Sequence, residues 1–253
     1  MSENNEILNL LVLLKSKYTR NMTAPEASLI EVANAGLNFT LGGVKGYSLP
    51  KHWRGLLLLD NLNFSIDAGD ASCYGINLIF FAKLLAFADE AGKIDIAKEY
   101  GAFHAMIDID KVDVLRDRHA AESWFIQLIY ENAPTFRPFF TLLRRTEYYA
   151  LVRFLLTQSL GGGNLHALGE SYGVSYSHFR RLCHQALGAT TKMELRRWRM
   201  ARALLDASED GHSFTEVAFK HGYASSSHFS NEVRALLGVS PRGLSDIVSL
   251  AIK

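Results

Sequence analysis

The side chains in this sequence that could bind a metal or move a proton are few and poorly arranged. His104 lies near Asp108 and Asp110, and Asp117 lies near His119. Neither set has a recognised ligand spacing, and both fall in a stretch that reads as charged and helical. Cys73 and Cys183 are the only cysteines and fall in different regions, which argues against a disulfide framework, a four-ligand zinc site and a cysteine-based methyl acceptor. The expectation is a protein that is not an enzyme and carries neither metal nor cofactor. Residues 175–184 offer another chemistry. Arg180 and Arg181 carry planar guanidinium groups able to bond bidentately to O6 and N7 of guanine, and Ser175, Tyr176, Ser177 and His184 surround them with further hydrogen-bonding groups. Such a set can read the edges of base pairs.

These side chains can do so only if one helix holds them on one face, and the C-terminal part of the chain carries the pattern of such a helix twice. Ser177-His178-Phe179 recurs as Ser227-His228-Phe229, and Leu187-Gly188 as Leu237-Gly238, each 50 positions on. Ahead of these, Leu165, Leu168, Gly169 and Gly173 correspond to Phe214, Val217, Ala218 and Gly222 at an offset of 49, so one residue is inserted in the second turn. Each copy has the requirements of a helix-turn-helix. Gly169 or Ala218 stands where two helices cross, and Gly173 or Gly222 can take positive φ in the turn. Ser175, or Ser225 or Ser226, can cap the second helix; Phe179 with Leu182, or Phe229 with Val233, face inward.

Off that inner face lie Tyr176, Ser177, Arg180, Arg181 and His184 in the first copy, and Ser226, Ser227, Ser230, Asn231 and Arg234 in the second. The arginines assign more base discrimination to the first copy. The hydroxyls of the second suit phosphate, with Asn231 and Arg234 its sharper readers. His178, beside the core phenylalanine in both copies, is assigned a structural role. Between the copies, Lys192–Ser208 reads as one helix. Leu195, Trp198, Met200 or Ala201, Leu204 and Leu205 are available to its inner side, and Arg196, Arg197, Arg199 and Arg202 to the other; the first three of these arginines are candidate phosphate contacts. About 17 residues at about 1.5 Å each make a rod of about 25 Å, which can hold two reading helices about one DNA turn apart.

Charge and composition agree. The 253 residues carry a net charge of +1, but residues 1–143 hold 13 basic and 17 acidic side chains while 144–253 hold 14 and 9. The basic part is where a polyanion would bind, with strong salt dependence. A hydrophobic fraction of 48% beside 21% charged residues is that of a folded chain. The N-terminus reads as lacking a signal peptide, and no uncharged stretch approaches the roughly 20 residues that span a bilayer, so a cytoplasmic protein with no membrane contact is expected.

Upstream, Gly36, Gly42, Gly43, Gly46, Pro50, Gly55 and Gly69 punctuate apolar pieces such as Leu56–Leu59, which predicts short strands and turns between Ala35 and Asp70. Leu78–Ala91 reads either as a strand running into a helix or as one buried helix. Asp113–Glu131 reads as a helix ended by Ala133-Pro134, after which Thr135 can cap another that runs through Leu155. The triplet Gly161-Gly162-Gly163 then stops periodicity and serves as a joint. The predicted organisation is an α+β N-terminal regulatory domain over 1–135, a connecting helix over 136–160, and an all-α domain over 161–253 with two helix-turn-helix motifs joined by a linker helix.

The segments RWRMARALL (Arg197–Leu205) and TEVAFKHGYASSSHFSNEVRALLGVSPR (Thr215–Arg242) resemble the AraC/XylS transcription activators, over residues 164–245. Val233 stands where that family usually has an aromatic residue, and Pro241 after Ser240 fits its closing motif. From about Lys83 onward the segments KLLAFADEAGKID, ESWFIQLI, LLRRTEYYALVRFLLTQS and GESYGVSYSHFRRLCHQALG are similar to those family members that regulate type III secretion and virulence genes. The resemblance implies a transcriptional activator acting on double-stranded promoter DNA with RNA polymerase, with a homodimer as one possible assembly. For that branch it also implies a helical-repeat secretion chaperone as co-activator, for which the Asp113–Glu131 helix offers a surface. The alternative implied by the wider family is a small-molecule effector bound by the N-terminal domain.

Overall fold

Apolar and polar residues alternate through residues 26–41 and 62–76, the pattern of strands with one face buried. In the computed structural model, which describes residues 6–94, 101–158, 165–188, 190–208, 213–240 and 243, these are the two longest strands. The chain divides into two compact units, residues 1–153 and 154–253. In the first, β1 (Leu8–Lys15), β2 (Thr19–Met22), β3 (Glu26–Leu41), β4 (Lys45–Leu49), β5 (Arg54–Asp60), β6 (Leu62–Ile76) and β7 (Phe103–Asp108) form an antiparallel sheet of order β1-β6-β3-β5-β7. β2 lies along β6 and β4 along β3. β1 has β6 as its neighbour and leaves Leu11, Val12 and Leu13 exposed.

A bulge keeps the long strands facing one core. The buried residues of β3 in the cluster with Leu14, Phe64 and Ile66 are even-numbered at Ile30 and Val32 but odd-numbered at Leu37, Phe39 and Leu41. Side chains alternate along a strand, so such a change of parity requires an irregular register. The pairing of β3 with β6 does slip between Val32 and Leu37. Gly36 (φ +74°) and Gly69 (φ +90°) meet at this crossing, where a Cβ on Gly69 would stand 2.0 Å from the carbonyl oxygen of Gly36. Gly36 and Gly69 thus sit within long strands, β3 of 16 residues and β6 of 15, which corrects the expectation of short strands there, while β4 with 5 residues, β5 with 7 and the turn at Gly42-Gly43 agree with it.

A helical layer completes this unit: α1 (Leu78–Ala91), α2 (Arg118–Tyr130), α3 (Arg137–Arg144) and α4 (Glu147–Gln158), the last crossing the boundary between units. Phe81 of α1 is fully buried and meets the rings of Trp124, Phe125 and Phe139 edge-on. α3 packs on β5, whose residues from Gly55 to Asp60 are all buried, which explains the uninterrupted run Leu56–Leu59. Leu78–Ala91 proves to be a single helix, because β6 ends at Ile76.

Local hydrogen bonding accounts for the other departures. The helix expected from Asp113 begins at Arg118, since Asp117 accepts from the backbone N–H of Ala120 (2.8 Å) and Val112–Leu115 forms a separate 3-10 turn. The helix expected from Thr135 to Leu155 is two helices. Thr146 Oγ1 donates to the Leu143 carbonyl (2.6 Å) and accepts from Tyr149 N–H (3.2 Å), ending one helix and capping the next. Thr135 lies instead in the 3-10 turn Pro134–Phe136. His104 is on β7 rather than a helix and shares a hydrogen bond with Tyr47 Oη (2.6 Å), while Asp108 accepts from the Trp53 indole. The Gly161–Gly163 joint lies outside the described residues.

The break places adjacent arginines on different partners. Arg144 grips Asp89 of α1 through Nε (2.9 Å) and Nη2 (3.0 Å), and Tyr149 Oη donates to the same carboxylate (2.7 Å). Arg145 Nε reaches Asp60 at the end of β5 (2.7 Å). Both carboxylates are buried. Burial, with the Asp89 charge beside it, pushes the Tyr149 phenol up to about 12.

In the second unit α5 (Leu165–Tyr172), α6 (Tyr176–Leu187), α7 (Thr191–Ser208), α8 (Phe214–Lys220) and α9 (Ser226–Leu237) follow in order. Phe179 of α6 is buried against the rings of Phe154 and Tyr172. Met200 and Ala203 of α7 share a core with Val217, Ala218, Tyr223, Phe229 and Val233. Among the described residues no helix is long and apolar enough to cross a membrane.

Two substitutions test this account by chemical denaturation. Asp89→Ala strands the Arg144 guanidinium and the Tyr149 hydroxyl, and is expected to lower the stability of the first unit by about 3 kcal/mol. Gly69→Ala and Gly42→Ala both impose a Cβ at positive φ, but Gly42 has open space around it. Gly42→Ala should cost about 1 kcal/mol and Gly69→Ala at least about 2 kcal/mol more; equal losses would refute the close strand crossing.

Candidate nucleic-acid interface

The first helix pair is held by its turn. The backbone N–H groups of Gly173 (3.1 Å) and Val174 (3.2 Å) both donate to the Gly169 carbonyl, closing α5, and Gly173 takes φ +85°. Ser175 Oγ accepts from His178 N–H (3.4 Å) at the start of α6. A Cβ on Gly169 would lie 3.3 Å from Cβ of Phe179, so the helices cross in contact there. α6 buries Phe179, Leu182, Cys183, Ala186 and Leu187. Burial pushes the Cys183 thiol up, away from the reactive thiolate.

Tyr176, Ser177, Arg180, Arg181, His184 and Gln185 form the exposed side of α6. Tyr176 stacks on His166 (5.6 Å between ring centres), and an Arg181 guanidinium nitrogen lies 2.8 Å from His178 Nδ1. Ser175 stands just before the helix and its hydroxyl is engaged in the cap. Gln185, one turn beyond Arg181, joins the set the sequence suggested; its i+4 spacing was the available signal.

The second pair repeats the construction. Gly222 takes φ +72°, and Tyr223 N–H donates to the Ala218 carbonyl (2.9 Å). Ser225 is the cap, accepting from His228 N–H (3.1 Å), which leaves Ser226 as the first residue of α9. α8 opens with a reciprocal cap: Glu216 N–H donates to Ser213 Oγ (3.2 Å), and Ser213 N–H to the Glu216 carboxylate (3.0 Å). Ser227, Asn231 and Arg234 are exposed, and Ser226 and Ser230 half-buried. The outward positions of α6 and α9 therefore match 50 residues apart: 176 with 226, 177 with 227, 180 with 230, 181 with 231 and 184 with 234. The repeated histidines do different things. His178 meets Arg181, whereas His228 rests edge-on against Tyr223 (5.7 Å); what they share is a backbone N–H bound by the capping serine.

α7 buries Trp198, Met200 and Ala203, while Ala201 is exposed and Leu205, expected inward, is 67% exposed. Its arginines are engaged within the protein. Arg196 Nη2 bonds Glu232 of α9 (3.2 Å), Arg197 Nη1 bonds Glu194 (2.8 Å), the Arg199 guanidinium lies over the Tyr223 ring (5.1 Å), and Arg202 Nη1 donates to the Leu156 carbonyl (2.8 Å). Near its other end Asp206 takes hydrogen bonds from Lys220 (2.6 Å) and His221 (2.8 Å), which hold its carboxyl below the usual range. Burial, then the Glu232 charge, pushes the Tyr223 phenol up to about 12. Glu232 was not singled out from sequence; the repeat aligns it with buried Leu182, which marks it as an acid on an inner face.

Each outward strip is the width of one helix, and such a strip fits a DNA major groove. Residues 168–246 match a family model described as a helix-turn-helix domain. The chain is 45% identical over 186 residues to the invasion protein InvF of Salmonella typhi, covering 74% of this chain and 86% of InvF. It is 32% identical over 203 residues to the transcriptional regulator MxiE of Shigella flexneri, covering 79% and 97% respectively. Among solved structures, ToxT from Vibrio cholerae aligns over 97% of each chain at 10% identity with a TM-score of 0.37. At the level set by InvF and MxiE, the chain belongs to the AraC/XylS family of DNA-binding transcriptional regulators.

Proposed function

We propose that this protein is a sequence-specific activator of type III secretion genes, in which α5–α6 and α8–α9 are tandem helix-turn-helix units and α7 is the rod between them. The observation that carries this reading is the matching of two outward strips on two helices built around the same kind of turn. In it, α6 and α9 enter successive major grooves. Arg180 and Arg181 read guanine edges, with Tyr176, Ser177 and His184 beside them. Asn231 and Arg234 read the second half-site, while Ser226, Ser227 and Ser230 contact phosphate. Arg196, Arg197 and Arg199 add positive potential near the backbone from their anchored positions.

The activator works with RNA polymerase at the promoter, and its first unit receives the signal. The resemblance of its segments to family members that regulate type III secretion genes implies a secretion chaperone as that signal. On α2, Ile126 (50% exposed) and Tyr130 (90% exposed) lie one turn apart and offer an apolar contact for a protein partner.

Two measurements check this reading. Arg180→Ala is expected to weaken binding to a target promoter fragment by about 1–3 kcal/mol and to relax selectivity at one base pair, with the fold unchanged by circular dichroism; unaltered affinity would remove Arg180 from the interface. On a secretion-gene reporter, activation should rise severalfold when the cognate chaperone is co-expressed, and full activity without it would reject the chaperone as the signal.

A further inference from the structure

Four polar side chains converge where α9 meets α7. Glu232 is buried, its side chain 2% exposed, and Oε2 takes one hydrogen bond from Arg196 while Oε1 has no partner among the described residues. Beside this pair the Arg199 guanidinium lies over the ring of the buried Tyr223. The first helix pair is built differently at the equivalent places. Leu182 stands for Glu232, 50 positions earlier, and Val174 follows the turn glycine as Tyr223 does. Leu182 is buried and apolar.

A buried carboxylate with one hydrogen bond is a poorer source of stability than a leucine of similar size. The first pair shows that the leucine solution is available to this architecture. What the carboxylate supplies is direction: apolar surfaces can slide and rotate over one another, whereas an ion pair is satisfied in one orientation. Arg196 lies near the start of α7, and Asp206 near its end holds Lys220 and His221 of the α8 end. The two ties fasten the second pair at both sides of its apolar core.

We infer that Glu232 is a positioning residue for DNA reading: through Arg196 it fixes the rotation of α9, and so decides which of Ser230, Asn231 and Arg234 face the groove. It also withdraws Arg196 from phosphate. This rests on the proposed function, in which α9 is a reading helix. The first pair, closed by Leu182, needs no such device, because its two arginines are long enough to find a guanine over a range of helix rotations.

The test selects bound sequences from a random duplex library with the full-length protein, and compares thermal melting of each variant. Wild type should enrich a two-part motif, of which Arg180→Ala alters one half. Glu232→Leu should melt no lower than wild type, keep the half that depends on Arg180, and lose about tenfold of its preference for the other half over random DNA. Glu232→Gln, which keeps an acceptor for Arg196, should fall between them, and the exchange Arg196→Glu with Glu232→Arg should restore the second half. An unchanged two-part motif in Glu232→Leu would overturn the inference while leaving the proposed function standing. Loss of the motif together with a lower melting temperature, unrestored by the exchange, would overturn it by reducing Glu232 to a packing residue. A wild-type protein that enriches no motif would overturn the proposed function and the inference with it.

Discussion

Arg144 and Arg145, adjacent in the chain, each satisfy a different buried carboxylate, and the first unit depends on this arrangement. Asp89 belongs to the helical layer and Asp60 to the end of the strand beneath α3. Each needs a cation of its own, because burying either acid without a partner would be strongly unfavourable. The chain meets both demands by interrupting its helix at Thr146, so that the last residue of α3 and the one after it point to different layers. The rings of Phe81, Phe125 and Phe139 pack edge-on against one another within the helical layer. The arginine pair fixes where that layer stands over the sheet.

The second unit solves a simpler problem twice. A short helix, a glycine at positive φ, a serine cap and a longer helix leave one side apolar and the other free to present hydrogen-bonding groups. The copies then diverge in what lies behind the longer helix: leucine in one, an acid held by an arginine in the other. An insertion of one residue between Gly222 and Ser225 accompanies that divergence, since Tyr223 and Ala224 occupy the place of Val174 alone.

The outward sides of α6 and α9 were largely legible in the sequence, because two helices joined by a tight turn are built from contacts within about twenty residues, and local spacing encodes them. The outward residues of α6 and α9 emerged from period and repeat alone. The partners of Arg196, Arg197 and Arg199 did not. An arginine on a polar face looks the same whether it meets water, phosphate or a carboxylate 36 positions away. The first unit was less legible for the same reason. β3 binds β6 across a separation set by tertiary pairing, and its central irregularity puts Gly36 inside a strand, where composition suggests a turn. Thr146 shows a subtler limit: a threonine between two apolar helical runs is compatible with one helix or two, and only its hydrogen bonds to Leu143 and Tyr149 decide.

The position of β1 bears on how the chain is made. Residues Leu8–Lys15 pair with Asp70–Ile76, which leave the ribosome much later than they do. At about 5–20 residues per second, the ribosome takes about 3–14 s to deliver that partner strand, so an apolar segment waits that long for its hydrogen bonds. Leu11, Val12 and Leu13 remain at the rim of the sheet even after folding. Yield on overexpression should therefore be governed by translation speed and holdase supply at this one segment more than by the equilibrium stability of the finished fold.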